Sequence, residues 1–195
     1  MNETLNTIRR QLQRELHESR YQHTLGVMHT AGCLAMRYGE SIQNALLAGL
    51  LHDCAKCIPS KEKIKMCMDY GICISPVEMQ NPGLLHAKLG AALAKDLYQV
   101  DDPAILQAIK RHTTGAPEMS LLDKIIYVAD YIEPGRDRAS NLDEIRKLAF
   151  CDIDECLYQI LVDSLSFLSS RNIPLDPMTE KTYLYYHKKR DQNEL

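Results

Sequence analysis

The sequence predicts an all-α fold, a helical bundle formed as a single domain over residues 1–195. Three observations predict it. Apolar residues recur at steps of three and four along nearly the whole chain, the period of an amphipathic helix. No stretch alternates apolar and polar residues as a half-buried strand does, and there is no internal repeat. Capping residues and stops (Ser, Asp, Gly and Pro) punctuate the pattern at short intervals. The composition, with 45% hydrophobic and 25% charged residues, is that of a globular chain able to bury a sizeable core.

Each element follows from its local signals. Leu5, Ile8, Leu12 and Leu16 form the stripe of a first helix. Tyr21 to Tyr38 is a second, with Val27, Ala31 and Leu34 on one face and Gly39 as its stop. Ser41 caps a third, "IQNALLAGLLHD". Ser60 is expected to cap a fourth, "KEKIKMCMDY", ended by Gly71. Ser75 to Glu78 is a capping box with Pro76 at the first helical position, and "QNPG" breaks that helix early. "LLHAKLGAALAKDLY" is next, then "AILQAIKRHTT" behind Asp102-Pro103. "LLDKIIYVADYI" follows Ser120 and stops at Pro134-Gly135. Asn141 with Glu144 is expected to start another helix, and "DIDECLYQILVDSLSFLSSR" is a long one. Asp176-Pro177 opens the last. This makes about ten helices. Residues 180–195 form a C-terminal helix and charged tail, expected to fray over its last ~15 residues.

The bulk numbers exclude several classes. A net charge of −3 gives no overall basic field, so no nucleic-acid partner is expected, and an anionic substrate needs a local cation cluster. No apolar run approaches 18 residues, so no membrane span is expected. The polar N-terminus lacks a signal-peptide core, and seven scattered cysteines are an odd number. Reduced thiols and a cytoplasmic location fit these facts. Cys54 and Cys57 form one C-x-x-C without a second pair at zinc-finger spacing, so buried packing thiols are expected there. The tyrosine-rich "YLYYHKKR" reads as a packing helix in preference to a base-stacking surface.

Polar groups interrupt the apolar stripes at His23, at His52-Asp53 and at Asp130. Burying a carboxylate without a partner costs several kcal/mol, so partners are implied. Two imidazoles and two carboxylates converging from several helices suit one divalent Fe, Mn, Zn or Co ion. Adjacent helical residues project about 100° apart, so His52 and Asp53 reach one ion only from a helix end or with bent side chains. A set of separately satisfied core residues is the alternative.

The order His23, His52-Asp53, Asp130 resembles the H…HD…D pattern of the HD-domain metal-dependent phosphohydrolases. A fuller set, "RYQHTLGV", "GLLHDCAK", "LLHAKLGA", "IKRHTTG", "ADYIEPGRDR" and "RNIPLDP", is similar to the successive signatures of the YqeK-type branch. That core spans residues 20–178, nearly the whole chain. The resemblance implies an all-α HD fold with a metal site in its core. It also implies a symmetrical dinucleoside-tetraphosphate hydrolase, cleaving diadenosine tetraphosphate to two ADP. Iron is the expected metal, with Mn, Co or Zn as alternatives.

Carried over by motif, His23, His52, Asp53 and Asp130 match metal ligands, and Asp53 and Lys56 match the catalytic groups. Arg20, His23, Lys56 with Cys57, Ile58 and Pro59, His86, His112, Thr113, Asp130 and Arg136 match substrate contacts. Ile173, Pro174, Leu175, Asp176, Pro177 and Met178 match a base- or ribose-side segment. His86 and His112 could hold a second ion; phosphate contact is preferred, because no further carboxylate accompanies them. His17, His29 and His187 carry no motif; His17 and His187 are expected at the surface, and His29, six residues after His23, on another face of the same helix.

The chemistry suits these residue types. A metal lowers the pKa of bound water and polarises a phosphoryl oxygen. Lys56, Arg20 and Arg136 can neutralise charge on the phosphates. The expected partners are a nucleotide substrate and ADP product, and apolar residues on the first helix or tail would support a homodimer. The alternatives are an HD phosphohydrolase for a mononucleotide or cyclic dinucleotide, and a nucleotide sensor without turnover.

Overall fold

The computed structural model describes residues 2–137, 139–171 and 174–192. Among these it contains eleven α-helices, one 3-10 turn and no strand. The order is α1 (Asn2–Glu15), α2 (Glu18–Tyr38), α3 (Ile42–Leu51), α4 (Ser60–Asp69) and α5 (Pro76–Gln80). The 3-10 turn (Pro82–Leu84) leads into α6 (Leu85–Asp96), then α7 (Pro103–Arg111), α8 (Leu121–Ile132), α9 (Leu142–Cys151), α10 (Ile153–Ser170) and α11 (Pro177–Asp191).

Local chemistry sets most boundaries. Ser41, Ser75, Asp102, Ser120, Asp152 and Asp176 each accept a backbone N–H of the helix they open. Gly39 closes α2 at φ 75°, the left-handed conformation glycine adopts without a Cβ penalty. Two expectations are corrected and a third is met in part. Ser60 is the first residue of α4 and Pro59 its N-cap, with no side-chain cap. Asn141 does start α9 as its N-cap, and its carbonyl accepts the Ile145 N–H at 3.0 Å, but its side chain makes no cap bond and turns instead to a tertiary partner, its Nδ2 donating to Asp163 Oδ2 at 2.8 Å. The charged C-terminal stretch is helical to Asp191, where Arg190 pairs with Glu155 of α10 at 2.9 Å.

At the centre, α2 and α3 pack on each other and on α8, while α7 fills in against α3, α6 and α8. α10 covers α8 and α9, and α11 lies on α10. Leu34, Leu50, Leu51, Ile109, Ile125 and Ile126 are fully buried in this core. Each such side chain contributes about 1.5–3 kcal/mol by leaving water. Gly49 lets α3 approach α2 closely: a Cβ there would stand 2.9 Å from the Met28 Cα. That approach brings the C-terminal end of α3 beside the first turns of α2. No described helix is long and apolar enough to cross a membrane.

Candidate metal centre and active site

His23 lies in the second turn of α2, His52 is the C-cap of α3, Asp53 follows it, and Asp130 is in the last turn of α8. His52 and Asp53 therefore stand at a helix end, where the chain turns and both side chains can face one point. Tertiary packing brings all four together. His23 Nε2 is 3.4 Å from His52 Nε2 and 3.0 Å from Asp130 Oδ1. His52 Nε2 is 3.5 Å from Asp53 Oδ2 and 3.8 Å from Asp130 Oδ1. Donors bound to one ion at about 2.0–2.2 Å stand about 3–4 Å from one another.

The ring tautomers fit a cation as well. A carbonyl oxygen can only accept, so an imidazole nitrogen that touches one must carry hydrogen. His52 Nδ1 donates to the Gly49 carbonyl at 2.7 Å, His86 Nδ1 to Gly83 at 2.6 Å, and His112 Nδ1 to Ile109 at 2.7 Å. In their neutral forms each then presents a bare Nε2 to the cluster. His23 Nδ1 meets Glu133 Oε1 at 3.0 Å instead.

Asp53 joins the two histidine pairs. Its Oδ2 faces His23 and His52, while Oδ1 lies 3.2 Å from His86 Nε2 and 3.6 Å from His112 Nε2. His86 and His112 Nε2 are 3.0 Å apart, and Thr113 Oγ1 is 3.1 Å from each. Oδ1 itself is buried without a hydrogen-bond partner, an orphaned acceptor aimed at these groups. His86 and His112 thus share the carboxylate of the first pair: Asp53 serves them with its second oxygen. Two sets that share His52 bring their donor atoms together, His23, His52 and Asp130 in one and His52, Asp53 and His112 in the other, and this mix of imidazole and carboxylate donors fits a divalent transition metal.

Three cations rim the cluster. Arg20 Nη1 donates to Asp53 Oδ2 at 2.7 Å, and Arg136 Nη2 to Asp130 Oδ1 at 2.6 Å. Lys56 Nζ lies 3.1 Å from His86 Nε2 and 3.7 Å from Asp53 Oδ1. Burial alone would raise the Asp53 pKa; the surrounding imidazoles of His52, His112 and His86 outweigh it and hold the carboxyl well below its usual range. Burial acts the same way at Asp130 and is overcome by His23, His52, His112 and Arg136, so its pKa is also depressed. Burial lowers the His86 pKa to about 4, against the pull of Asp53, with Lys56 and His112 adding to the fall.

Beside this cluster opens a cleft of about 720 Å³. Thr113 and Arg136 are shared by the cluster and the cleft, and Tyr127, Tyr131 and Phe167 line its wall. Of the segment expected on the base or ribose side, Pro174 and Asp176 line the cleft. Asp176 also caps α11, which Pro177 and Met178 begin, and Leu175 is half-buried. Ile173 lies outside the described residues. Cys57 and Ile58 are half-buried in the turn after Lys56, and Pro59 is exposed. Cys54 is buried against the Gly90 carbonyl, and burial pushes its thiol pKa far up, leaving a packing group. His17 and His29 are exposed, and His187 stacks on Tyr183.

Sequence reasoning missed Glu133. It was legible only as part of the turn "EPGR", yet it is buried and touches His23. It also missed Arg146 on α9, which donates to the carbonyls of Ile132, Glu133 and Arg136 and pins the turn carrying Arg136. The available signal was an acidic residue three positions after Asp130, just past an otherwise apolar helix.

Known proteins match this arrangement. The family model described as HD domain matches residues 20–135. The chain is 43% identical over 172 residues to the symmetrical bis(5'-nucleosyl)-tetraphosphatase of Bacillus subtilis, covering 88% of this chain and 91% of that one. It is 40% identical to the protein of the same name from Halalkalibacterium halodurans, covering 86% and 89%. A crystal structure from Clostridium acetobutylicum, described as a predicted HD superfamily hydrolase involved in NAD metabolism, superposes with a TM-score of 0.91 at 41% identity. That match covers 94% of this chain and 97% of the other.

Proposed function

The chain belongs to the HD-domain family, and from that membership we propose that it hydrolyses diadenosine tetraphosphate symmetrically to two ADP. The observation that carries this is the convergence of His23, His52, Asp53 and Asp130 under a rim of Arg20, Lys56 and Arg136, beside a cleft of about 720 Å³. The names of the relatives at 43% and 40% identity support the substrate. Iron is the expected metal and the cytoplasm the expected compartment. Leu184 on α11, 55% exposed, offers apolar surface for a homodimer.

A metal held by His23, His52, Asp53 and Asp130 supplies Lewis acidity and a water of lowered pKa. The chain's own groups do the rest. Asp53 Oδ1, free of hydrogen bonds, can orient the attacking water and accept its proton. The water oxygen forms a bond to phosphorus, the bridging P–O bond breaks, and ADP leaves with the electron pair. Lys56 and Arg136 neutralise charge on the phosphoryl and leaving oxygens, and Arg20 exchanges its Asp53 contact for a phosphate. Thr113 can donate its hydroxyl to a phosphate oxygen at the mouth of the cleft, His86 and His112 turn bare Nε2 lone pairs toward the cluster and could hold a second ion, and Tyr127, Tyr131 and Phe167 offer apolar surface to a nucleoside.

The test is a product analysis. The purified chain, loaded with Fe, Mn or Co, is incubated with diadenosine tetraphosphate and the nucleotides are separated. ADP as sole product is expected. AMP plus ATP would sink symmetrical cleavage. Absence of turnover with all three metals would favour a nucleotide sensor.

A further inference from the structure

We propose that Glu133 is a positioning residue for the metal centre, orienting the His23 ring through a carboxylate–imidazole hydrogen bond whose geometry Gly26 and Gly135 set. The inference rests on the metal-centre reading above. Three of the four clustered imidazoles solve the orientation problem locally. His52 and His112 are helix C-caps and His86 follows a 3-10 turn, and each gives its Nδ1 hydrogen to the carbonyl three residues earlier. At helix ends such carbonyls lack helical amide partners. His23 is inside α2, where the carbonyls before it are committed to the helix ladder. Its partner must come from elsewhere in the fold.

Glu133, the C-cap of α8, supplies it. Oε1 lies 3.0 Å from His23 Nδ1, and Oε2 accepts the Gly135 N–H at 2.7 Å. The backbone behind it is fixed by Arg146, which donates to the Ile132 carbonyl at 3.0 Å and the Glu133 carbonyl at 3.2 Å. The space it occupies is made by a missing side chain. A Cβ on Gly26, three residues after His23 on α2, would stand 2.3 Å from Glu133 Oε2. Among the described residues no lysine or arginine pairs with this carboxylate, so its charge is directed at the His23 ring. An anionic acceptor raises the basicity of the opposite nitrogen more than a carbonyl does. His23 Nε2 is therefore both aimed and strengthened as a ligand by a residue that never touches the metal.

Manganese titration of the full chain, read by the electron-paramagnetic signal of free Mn²⁺, tests this in the wild type, Glu133→Gln and Gly26→Ala. Thermal midpoints in EDTA run alongside. Glu133→Gln keeps the shape, removes the charge and leaves one acceptor oxygen where there were two; Gly26→Ala keeps the carboxylate and displaces it, while alanine favours the helix. Both variants are expected to bind Mn²⁺ about 10–100-fold more weakly, with the metal-free midpoint of Glu133→Gln close to that of the wild type. Wild-type affinity in both variants would overturn the inference and leave the metal centre standing. An affinity loss seen only in step with a falling metal-free midpoint would overturn it too, as purely structural. A wild type that takes up no Mn²⁺ would overturn the metal reading itself, and this inference with it.

Discussion

Asp53 is the residue on which the cluster turns. Its two oxygens serve two histidine pairs, and it is almost wholly buried, so removing it leaves His23, His52, His86 and His112 without their common anion. Asp53→Ala is expected to abolish both turnover and bound metal, checked by metal analysis of the purified protein beside the product assay. Lys56 differs in kind. It stands in a turn, half-exposed, with its ammonium on the rim. Lys56→Met is expected to retain metal and lower kcat/KM by about 10²-fold, the scale for losing one charged donor to a developing oxyanion. Metal lost in Lys56→Met, or kept in Asp53→Ala, would reverse these two roles.

At the scale of the element, short structures aim the histidines. The 3-10 turn Pro82–Leu84 sets the Gly83 carbonyl under His86, and α5 anchors that turn. The anchor is Glu78, 4% exposed, which accepts the Ser75 N–H and the Lys88 ammonium, both at 2.8 Å. Burial alone would raise the Glu78 pKa; Lys88 and Ser75 reverse the shift and place it below 4.5. A depressed carboxylate stabilises the fold above its unfolded pKa, and that stability is lost as pH falls through the folded value. Glu78→Gln is therefore expected to cost about 1–3 kcal/mol at neutral pH. The gap from the wild type should narrow below pH 4.5 in urea unfolding. A gap that persists unchanged in acid would show that shape, not charge, is what Glu78 contributes.

At the scale of the molecule, the site is a junction of α2, the end of α3, the end of α7, the start of α6 and the end of α8. Among the clustered imidazoles and aspartates, His52 and Asp53 come from one segment and each of the others from a different helix. The C-terminal helix α11 completes the frame around the neighbouring cleft. Thr182 Oγ1 donates to the Thr114 carbonyl at 3.1 Å, and the Tyr186 hydroxyl accepts the buried Met119 N–H at 3.1 Å. Tyr186→Phe leaves that amide without a partner and is expected to cost about 1–3 kcal/mol in denaturant unfolding. A loss below about 0.5 kcal/mol would mean that α11 is held by apolar packing alone.

The sequence by itself determined the helical class, nearly every helix and most of its caps, because periodicity and capping are properties of a few neighbouring residues. Ser60 and Asn141 mark where this ends: each has a capping side chain, and at Asn141 a partner on α10 takes it. His23, His52, Asp53 and Asp130 were legible as ligand types breaking apolar stripes, and their order carried the family resemblance. Only the tertiary structure decided that Asp53 divides its oxygens between two histidine pairs, and that Glu133 stands behind His23. Both depend on distances between residues far apart in the chain, set by how closely α3 approaches α2 at Gly49 and by the room at Gly26. A one-dimensional pattern records which side chains are present. Which lone pairs meet is fixed by packing.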